Sequence, residues 1–540
     1  MAVSISHDSL SELVRQYGPV LNGVDETLYN SILIANIESY LSFLGVKSVI
    51  VEEEYIDTHI LDDYCGHYGR CFADYKRKCV RLHFFDKDFD IDKFNRLLIS
   101  RSGKDDIYSA VGNYRGCIVL RNIPGSVFGK ICLAVPKVES QYAKVIGKLY
   151  EAHLCGLTFT LYSVAFQEQD HAISACATVA LWMGFNAFPG IQPREVLSPY
   201  RIFEIVRKQH TDGNLSHIVG KGLNVAQISS VIKERSLEAL VIRPETFGYA
   251  KAVAKAYLEM DIPIILGVDL IKMVDEPSDD YFLGKHAVTV IGFQGNEQLL
   301  PFKENTKSLL HTAENNEVNL YLESSAMKCL IVHDDQIGPY SKMLFTSEYG
   351  LSMKTAWTDY NDGGVVDAKI DVMTIMNFRK VRIRFSSILE ITKELNNLIC
   401  NSYRREGFFI SWDIHLTNVW SLKEKVRLKR NIGNKDKVSV LTAPLPRYIW
   451  VVGIMGRYKD DYSDKTFEIQ THYFDATDIE TSGFYLFSLN YTPIGLTTKI
   501  AMEEIDLTKT KLCRSNMQLR KTFIDADASN PIGFLSNLVR

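Results

Sequence analysis

Apolar positions in the first part of the chain recur with both helical and strand periodicity. Residues 9–21 and 28–45 place apolar side chains every three to four positions, as amphipathic helices do. Shorter apolar runs, which are typical of strands, occur at 48–55, 80–85 and 116–123. These patterns predict a mixed α/β domain over residues 1–150.

A different order of elements begins at residue 156. An apolar strand at 156–169 leads into a helix of small residues, and an alanine-rich helix is predicted at 248–261. Further helices are predicted at 198–209 and 224–236, and compact buried strands at 262–270, 285–293 and 328–335. We assign this region to a central domain over residues 151–345.

The chain becomes more polar and more aromatic after residue 345. A long helical segment at 386–407 precedes strand-like segments at 408–416, 447–456 and 467–477. These elements predict a C-terminal α+β domain over residues 346–540. The whole chain is therefore expected to be an α/β (α+β) multidomain protein.

Composition limits the expected classes of binding partner and the expected cellular location. Apolar residues make up 46% of the chain, charged residues 23%, and the formal net charge is −4, which argues against a broad basic face for nucleic acid. The longest strongly apolar runs, such as 448–453, are much shorter than a membrane-spanning helix, and the first residues lack the pattern of a signal peptide. Ten cysteines without regular spacing favour reduced thiols, so a cytoplasmic location is expected.

The stretch 166–184 contains a single cysteine, Cys176, where the predicted strand passes into a helix. A helix N-terminus favours the thiolate form of a cysteine through unpaired amide groups and the helix dipole. Ser174 is the predicted N-cap, which makes Cys176 the second residue of the helix. The alternative is that Cys176 is a small core residue, as many free cysteines are.

Two later segments favour a reactive cysteine. His286 begins a strand directly after a Gly–Lys turn, and another strand ends at Asp334 and Asp335 before a turn at Gly338. A nucleophilic thiol needs an imidazole partner, and the imidazole needs an acceptor that fixes its tautomer and ring plane. A cysteine, a histidine and an aspartate, each at the edge of an element, supply these parts in chain order.

With these residues in place, the segment 156–345 resembles a papain-like cysteine peptidase, closest to the bacterial double-glycine leader peptidases. In that family a glutamine precedes the cysteine that opens a helix, and a later strand carries the histidine. The sequences MDIPIILGV (260–268) and GKHAVTVIGF (284–293) match the middle of this pattern. The resemblance implies a papain-like central fold, in which the cysteine helix packs on an antiparallel sheet, flanked by two smaller α/β domains.

The resemblance also implies a role for each site residue. Cys176 is expected to be the nucleophile, His286 the general base and Asp334 the acid that orients the imidazole. Gln169 and the Cys176 backbone amide are expected to stabilise the oxyanion. Gln169 lies one residue further from the cysteine than is usual in the family, and Gln167 is a more distant alternative.

The aspartate turn departs from the family pattern. The family has Asp–Pro where this chain has Asp334 followed by Asp335. Adjacent strand residues face opposite sides, so only one of the two carboxylates is expected to reach the imidazole. The spacing to Gly338 favours Asp334.

The expected function is that of a cysteine peptidase acting on a protein or peptide substrate, without a metal or organic cofactor. Neither nucleic acid nor a membrane is an expected partner, and the flanking domains have the size and polarity of recognition or regulatory modules. Two other classes remain open. One is a deamidase or amide transferase with the same residues, and the other is a catalytically inactive papain-like interaction module.

Overall fold

The computed structural model describes most of the chain up to residue 491 and contains four β-sheets with helices packed against them. The described residues are 3–18, 31–72, 75–99, 103–123, 125–138, 140, 142–170, 172–173, 175–209, 222–272, 281–296, 298–302, 319–346, 351–359, 363–402, 408–458, 466–479 and 484–491. The mixed α/β class predicted from the sequence is confirmed.

The N-terminal part is built on a five-stranded antiparallel sheet in which each strand pairs with the next one along the chain. The strands are β1 (Val3–Ser6), β2 (Ser48–Tyr55), β3 (Cys79–Phe85), β4 (Tyr114–Leu120) and β5 (Phe128–Leu133). The helices are α1 (Leu10–Tyr17), α2 (Ser31–Phe43), α3 (Thr58–Gly66), α4 (Ile91–Ile99) and α5 (Lys104–Val111). Local sequence sets these boundaries: Ser9 and Glu12 form a reciprocal capping box at α1, and Asp57 caps α3.

A hairpin leads from this sheet into a buried helix. Its strands β7 (Lys148–Leu154) and β8 (Leu157–Ser163) alternate buried and exposed residues, so one face packs and the other meets solvent. The helix α6 (Cys176–Ala187) is different, because every residue after Cys176 is buried. A helix that is apolar on all sides has to lie inside the molecule.

A closed six-stranded antiparallel barrel occupies the centre of the molecule. Its strands are β10 (Ile264–Lys272), β11 (Tyr281–Gly295), β12 (Met327–Asp334), β13 (Gly338–Phe345), β14 (Ser352–Thr358) and β15 (Val365–Phe378). Each strand pairs with the next, and β15 returns to pair with β10, for example at Ile375 and Ile264. Closure pairs the backbone groups that an open sheet would leave at its edges.

Other elements surround the barrel. The short strand β6 (Ala143–Val145) pairs with β11, and β9 (Leu237–Ile242) pairs with β15. Helix α6 packs against β10, β11 and β12, so the cysteine helix lies on the barrel wall. Further described helices of this region are α7 (Pro199–Gln209), α8 (Val225–Glu234) and α9 (Phe247–Leu258).

The described residues of the C-terminal part form a four-stranded antiparallel sheet with three helices. The strands are β16 (Phe408–Asn418), β17 (Tyr448–Tyr458), β18 (Thr466–Asp475) and β19 (Tyr485–Asn490). The helices are α10 (Phe385–Ser402), α11 (Val419–Leu428) and α12 (Asn434–Thr442). Trp450 is fully buried and its indole donates a 2.9 Å hydrogen bond to the Ile383 carbonyl oxygen, which fixes this sheet against the segment before α10.

Many of the predicted apolar segments are confirmed as regular elements, whereas the predicted domain limits cut through paired strands. The segments at 48–55, 285–293 and 408–416 lie within β2, β11 and β16. The limit at residue 345 falls between β13 and β14 of the barrel, and the limit at residue 150 falls within β7. Among the described helices, none is long and apolar enough to cross a membrane.

We expect Gly292→Ala to lower the free energy of unfolding of the barrel by about 1–3 kcal/mol, the usual cost of overpacking a filled interior. A Cβ atom at this position would lie 2.3 Å from the carbonyl oxygen of Lys144 and 3.0 Å from the Cα of Val145, where β6 pairs with β11. Urea denaturation followed by fluorescence measures the change.

Gly284→Ala is the matched control, because on the same strand a Cβ at Gly284 has nothing within 4 Å. This variant is expected to match the wild type. Equal stability of the two variants would contradict the close approach of β6 to β11.

Candidate active site

Cys176 is the first residue of α6, and Ala175 is the N-cap. The predicted helix start was therefore one residue too early, and the predicted cap Ser174 lies outside the described residues. Ala175 offers no side-chain cap, so the amide groups of the first turn are not occupied by one. A helix start of this kind favours negative charge close to it, and Cys176 lies there half-buried.

His286 lies on β11, the barrel strand against which α6 packs. The Thr289 hydroxyl on the same strand donates a 2.8 Å hydrogen bond to the carbonyl oxygen of Ala180 in α6, and both groups are buried. This bond fixes the helix against the strand. His286 is only 5% exposed, and the neighbouring Cys176 thiol is one of the groups that raise the pKa of its imidazole.

Asp334, the last residue of β12, lies on the other side of the imidazole. One carboxylate oxygen is 3.2 Å from His286 Nε2 and also accepts a 3.1 Å bond from the Gln336 backbone amide. The second oxygen accepts a 2.8 Å bond from the indole Nε1 of Trp357 on β14, whose ring meets the imidazole edge-on with centroids 4.9 Å apart. Because Nε2 faces the carboxylate, Nδ1 is the ring nitrogen left for the thiol.

Both adjacent aspartates reach the imidazole, so the prediction that only one would do so was wrong. Strand alternation ends at Asp334, and Asp335 belongs to the turn that leads to Gly338. One oxygen of Asp335 lies 3.4 Å from His286 Nε2. The side chain is fully buried, and neither oxygen has a hydrogen-bond partner among the described residues.

The charged groups of the site shift one another's pKa values. Burial alone would lower the pKa of His286, but the Asp334 and Asp335 carboxylates and the Cys176 thiol raise it well above its ordinary value. Burial would raise the pKa of Asp334, but the adjacent imidazole holds it below its ordinary value. Burial raises the pKa of Asp335 to about 7. The Asp334 carboxylate also raises this pKa, whereas the His286 imidazole lowers it. The charged imidazole therefore has one ionised carboxylate and one group that titrates near neutrality beside it.

The loop before α6 carries the predicted oxyanion residue. Gln167 is buried, and its side-chain nitrogen has no hydrogen-bond partner among the described residues, whereas Gln169 is half-exposed. The assignment of the oxyanion role to Gln169 therefore stays a prediction. The Ser126 hydroxyl donates a 2.6 Å hydrogen bond to the carbonyl oxygen of Gln169. Among the described residues, no hydrogen bond joins the Gln169 side chain to Cys176.

Two buried charged residues that sequence reasoning missed hold this loop. Arg121 donates a 2.9 Å bond to the carbonyl oxygen of Glu168 and lies 3.8 Å from the Asp170 carboxylate. Asp170 accepts 2.8 Å bonds from the backbone amides of Ala172 and Ile173. Turns of this kind are typical of aspartate, so the role of Asp170 could have been predicted from the sequence. Arg121 could not, because it is distant from this loop along the chain.

Gly222 brings a second stretch of main chain close to the thiol. A Cβ at this position would lie 4.0 Å from the Cys176 sulfur. Its φ of +70° belongs to the left-handed region, which glycine adopts at little cost. The main chain at Gly222 therefore lies close to the sulfur, and this residue has no side chain that could cover it.

The three buried groups His286, Asp334 and Asp335 offer ligand atoms within 4.8 Å of one another, a set that suits a metal ion. The same atoms form the ion pairs described above, and the ring links these carboxylates to the Cys176 thiol. A thiol joined to an imidazole in this way can act as a nucleophile toward a carbonyl carbon.

Comparison with known proteins adds no relative to this description. No protein-family model matches the chain. A search of curated proteins likewise finds no match.

We expect Cys176 to react with iodoacetamide faster than Cys65 and Cys71 near neutral pH, although those two are exposed and Cys176 is half-buried. The imidazolium of His286 stabilises a neighbouring thiolate, which is the reactive form. Peptide mapping by mass spectrometry after brief labelling measures the order of reaction. The exposed cysteines serve as internal references, and His286→Ala should remove the advantage. Slower labelling of Cys176 than of both references would contradict the thiol–imidazole pair.

We expect wild-type stability to fall relative to Asp335→Asn as the pH rises from about 4 to about 7. The folded pKa of about 7 exceeds the ordinary value of 3.8, so the native state binds this proton more tightly than the unfolded chain does. That contribution is fully present below about pH 4 and is lost as the pH passes through about 7. Urea midpoints of both proteins across this range give the difference, and a difference that does not change with pH would contradict the raised pKa.

Proposed function

We propose that this protein is a papain-like cysteine hydrolase that cleaves amide bonds in a protein or peptide substrate. The observation that carries the proposal is a helix-start thiol, Cys176, that raises the pKa of the neighbouring His286 imidazole, while Nε2 of the same ring faces Asp334. The packing of α6 on an antiparallel barrel supports the papain-like assignment, since that fold places the cysteine helix against the sheet that carries the histidine.

The proposed reaction begins with attack on the substrate. The Cys176 proton passes to Nδ1 of His286 to give a thiolate–imidazolium pair, and the thiolate sulfur then bonds to the amide carbonyl carbon. The imidazolium gives this proton to the leaving nitrogen as the C–N bond breaks, which leaves a thioester on Cys176. Water then hydrolyses the thioester, with His286 taking one proton from the water and returning it to the sulfur. Asp334 stays ionised and stabilises the imidazolium throughout.

Negative charge develops on the carbonyl oxygen during both steps and requires donors that are already in place. The proposal gives this role to the backbone amide of Cys176 and to the side chain of Gln169. The uncapped start of α6 and the half-exposed position of Gln169 support the assignment. Loss of one such donor typically lowers turnover by about 10²–10³-fold.

The substrate class is tested by treating a proteome with the wild type or with Cys176→Ala. New peptide termini that appear only with the wild type support a peptidase. Conversion of side-chain amides to acids without new termini would assign the same residues to a deamidase. If neither change occurs and no electrophile labels Cys176, the chain is a non-catalytic interaction module.

We expect Asp334→Asn to lower turnover by up to about 10⁴-fold, as loss of the corresponding acid does in serine proteases. The carboxylate of Asp334 is held by Trp357 and by a backbone amide, so it sets the ring orientation, whereas Asp335 makes no hydrogen bond of its own among the described residues. Asp335→Asn is the matched control and should have a smaller effect. Initial rates on the substrate found above give the ranking, and a reversed ranking would move the orienting role to Asp335.

A further inference from the structure

A cavity lies in the C-terminal part of the chain, and none of the candidate site residues lines it. Its volume is about 300 Å³, and it lies between α11 and one face of β16, β17 and β18. Leu422 and Val426 of α11 face Val451 and Met455 of β17 across it. Small-molecule sites in proteins usually take this form, a concave apolar cavity with a few polar groups.

The acid at one end of the cavity is already neutralised. Asp413 on β16 accepts a hydrogen bond from Lys255 of α9, and its second oxygen lies 3.0 Å from Nδ1 of His415. Burial would raise the pKa of Asp413, but the Lys255 ammonium and the His415 ring hold it far below its ordinary value. This carboxylate therefore has no charge left for a cationic ligand.

The acid at the other end is neutralised as well. Glu468 accepts a hydrogen bond from Lys429 and a 2.6 Å bond from the Thr471 hydroxyl. Lys425 of α11, one turn before Lys429 at the end of that helix, also lines the cavity. This lysine is exposed, and its ammonium makes no ion pair or hydrogen bond with the described residues. Among the described residues, the cavity therefore has one positive charge without a counterion.

We propose that this cavity binds a small monocarboxylate with an apolar body. The carboxylate pairs with the Lys425 ammonium at the exposed edge, and the apolar body fills the space beside Val451 and Met455. One uncompensated ammonium matches one negative charge, whereas a phosphate dianion would need a second cation that Lys429 does not supply while it is paired with Glu468. The apolar walls favour a ligand that buries hydrocarbon.

Isothermal titration calorimetry on the full chain tests this proposal with hexanoate as the probe. Hexanol has the same carbon chain without the charge, and hexylammonium has the opposite charge. We expect saturable binding of hexanoate, with hexanol and hexylammonium at least about tenfold weaker. Equal binding of hexanol and hexanoate, or no binding of hexanoate at millimolar concentration, would overturn the proposal.

Two variants test whether hexanoate binds in this cavity. Lys425→Gln should weaken hexanoate by at least about tenfold, while Lys435→Gln on α12, an exposed lysine outside the cavity lining, should leave it unchanged. Gly453→Val should abolish binding without unfolding the chain, because a Cβ at Gly453 meets only ordinary contacts of 3.6 Å or more and the added methyl groups enter the cavity. Hexanoate binding that is unchanged in both Lys425→Gln and Gly453→Val would place it elsewhere and refute the site.

Discussion

A buried imidazole carries a positive charge only if negative groups replace the water it has lost. In this protein His286 has two aspartates on one side and a thiol on the other, and the site depends on that arrangement. The aspartates make the charged ring stable inside the barrel wall. The ring in turn gives the thiol of Cys176 a base within hydrogen-bonding reach.

The fold brings these groups together from distant parts of the chain. Antiparallel pairing places the end of β12 beside β11, and the Thr289 bond holds α6 on the same strand. The N-terminal part contributes through Asn36 of α2, whose side chain donates a 2.8 Å bond to the Ile337 carbonyl oxygen in the aspartate turn. The C-terminal sheet is joined to the barrel side through the ion pair of Lys255 and Asp413. Residues from all three parts of the chain are therefore joined to the barrel or to the helices packed on it.

The sequence was informative where the determining interactions are local. Apolar periodicity identified the cysteine helix, the histidine strand and the aspartate strand, because burial of one face or of a whole element leaves a pattern in neighbouring residues. Barrel closure was missed, since the pairing of β10 with β15 joins segments about a hundred residues apart and β14 and β15 were assigned to the next domain. The prediction that Asp335 would face away from the imidazole was wrong, because the alternation of side chains along a strand was applied one residue past the end of the strand. Trp357 was missed because its indole approaches Asp334 from a strand with no motif of its own.

Direct trapping of the acyl group is the measurement that tests the account most sharply. The full chain is mixed with 4-nitrophenyl acetate, quenched in acid during the first turnover and digested for mass spectrometry. The account predicts one acetyl group, attached as a thioester to Cys176, and strongly reduced acetylation in His286→Ala. Acetylation of the exposed Cys65 and Cys71 in preference to Cys176, or equal acetylation of Cys176 in both proteins, would contradict the claim that the buried imidazole activates this thiol.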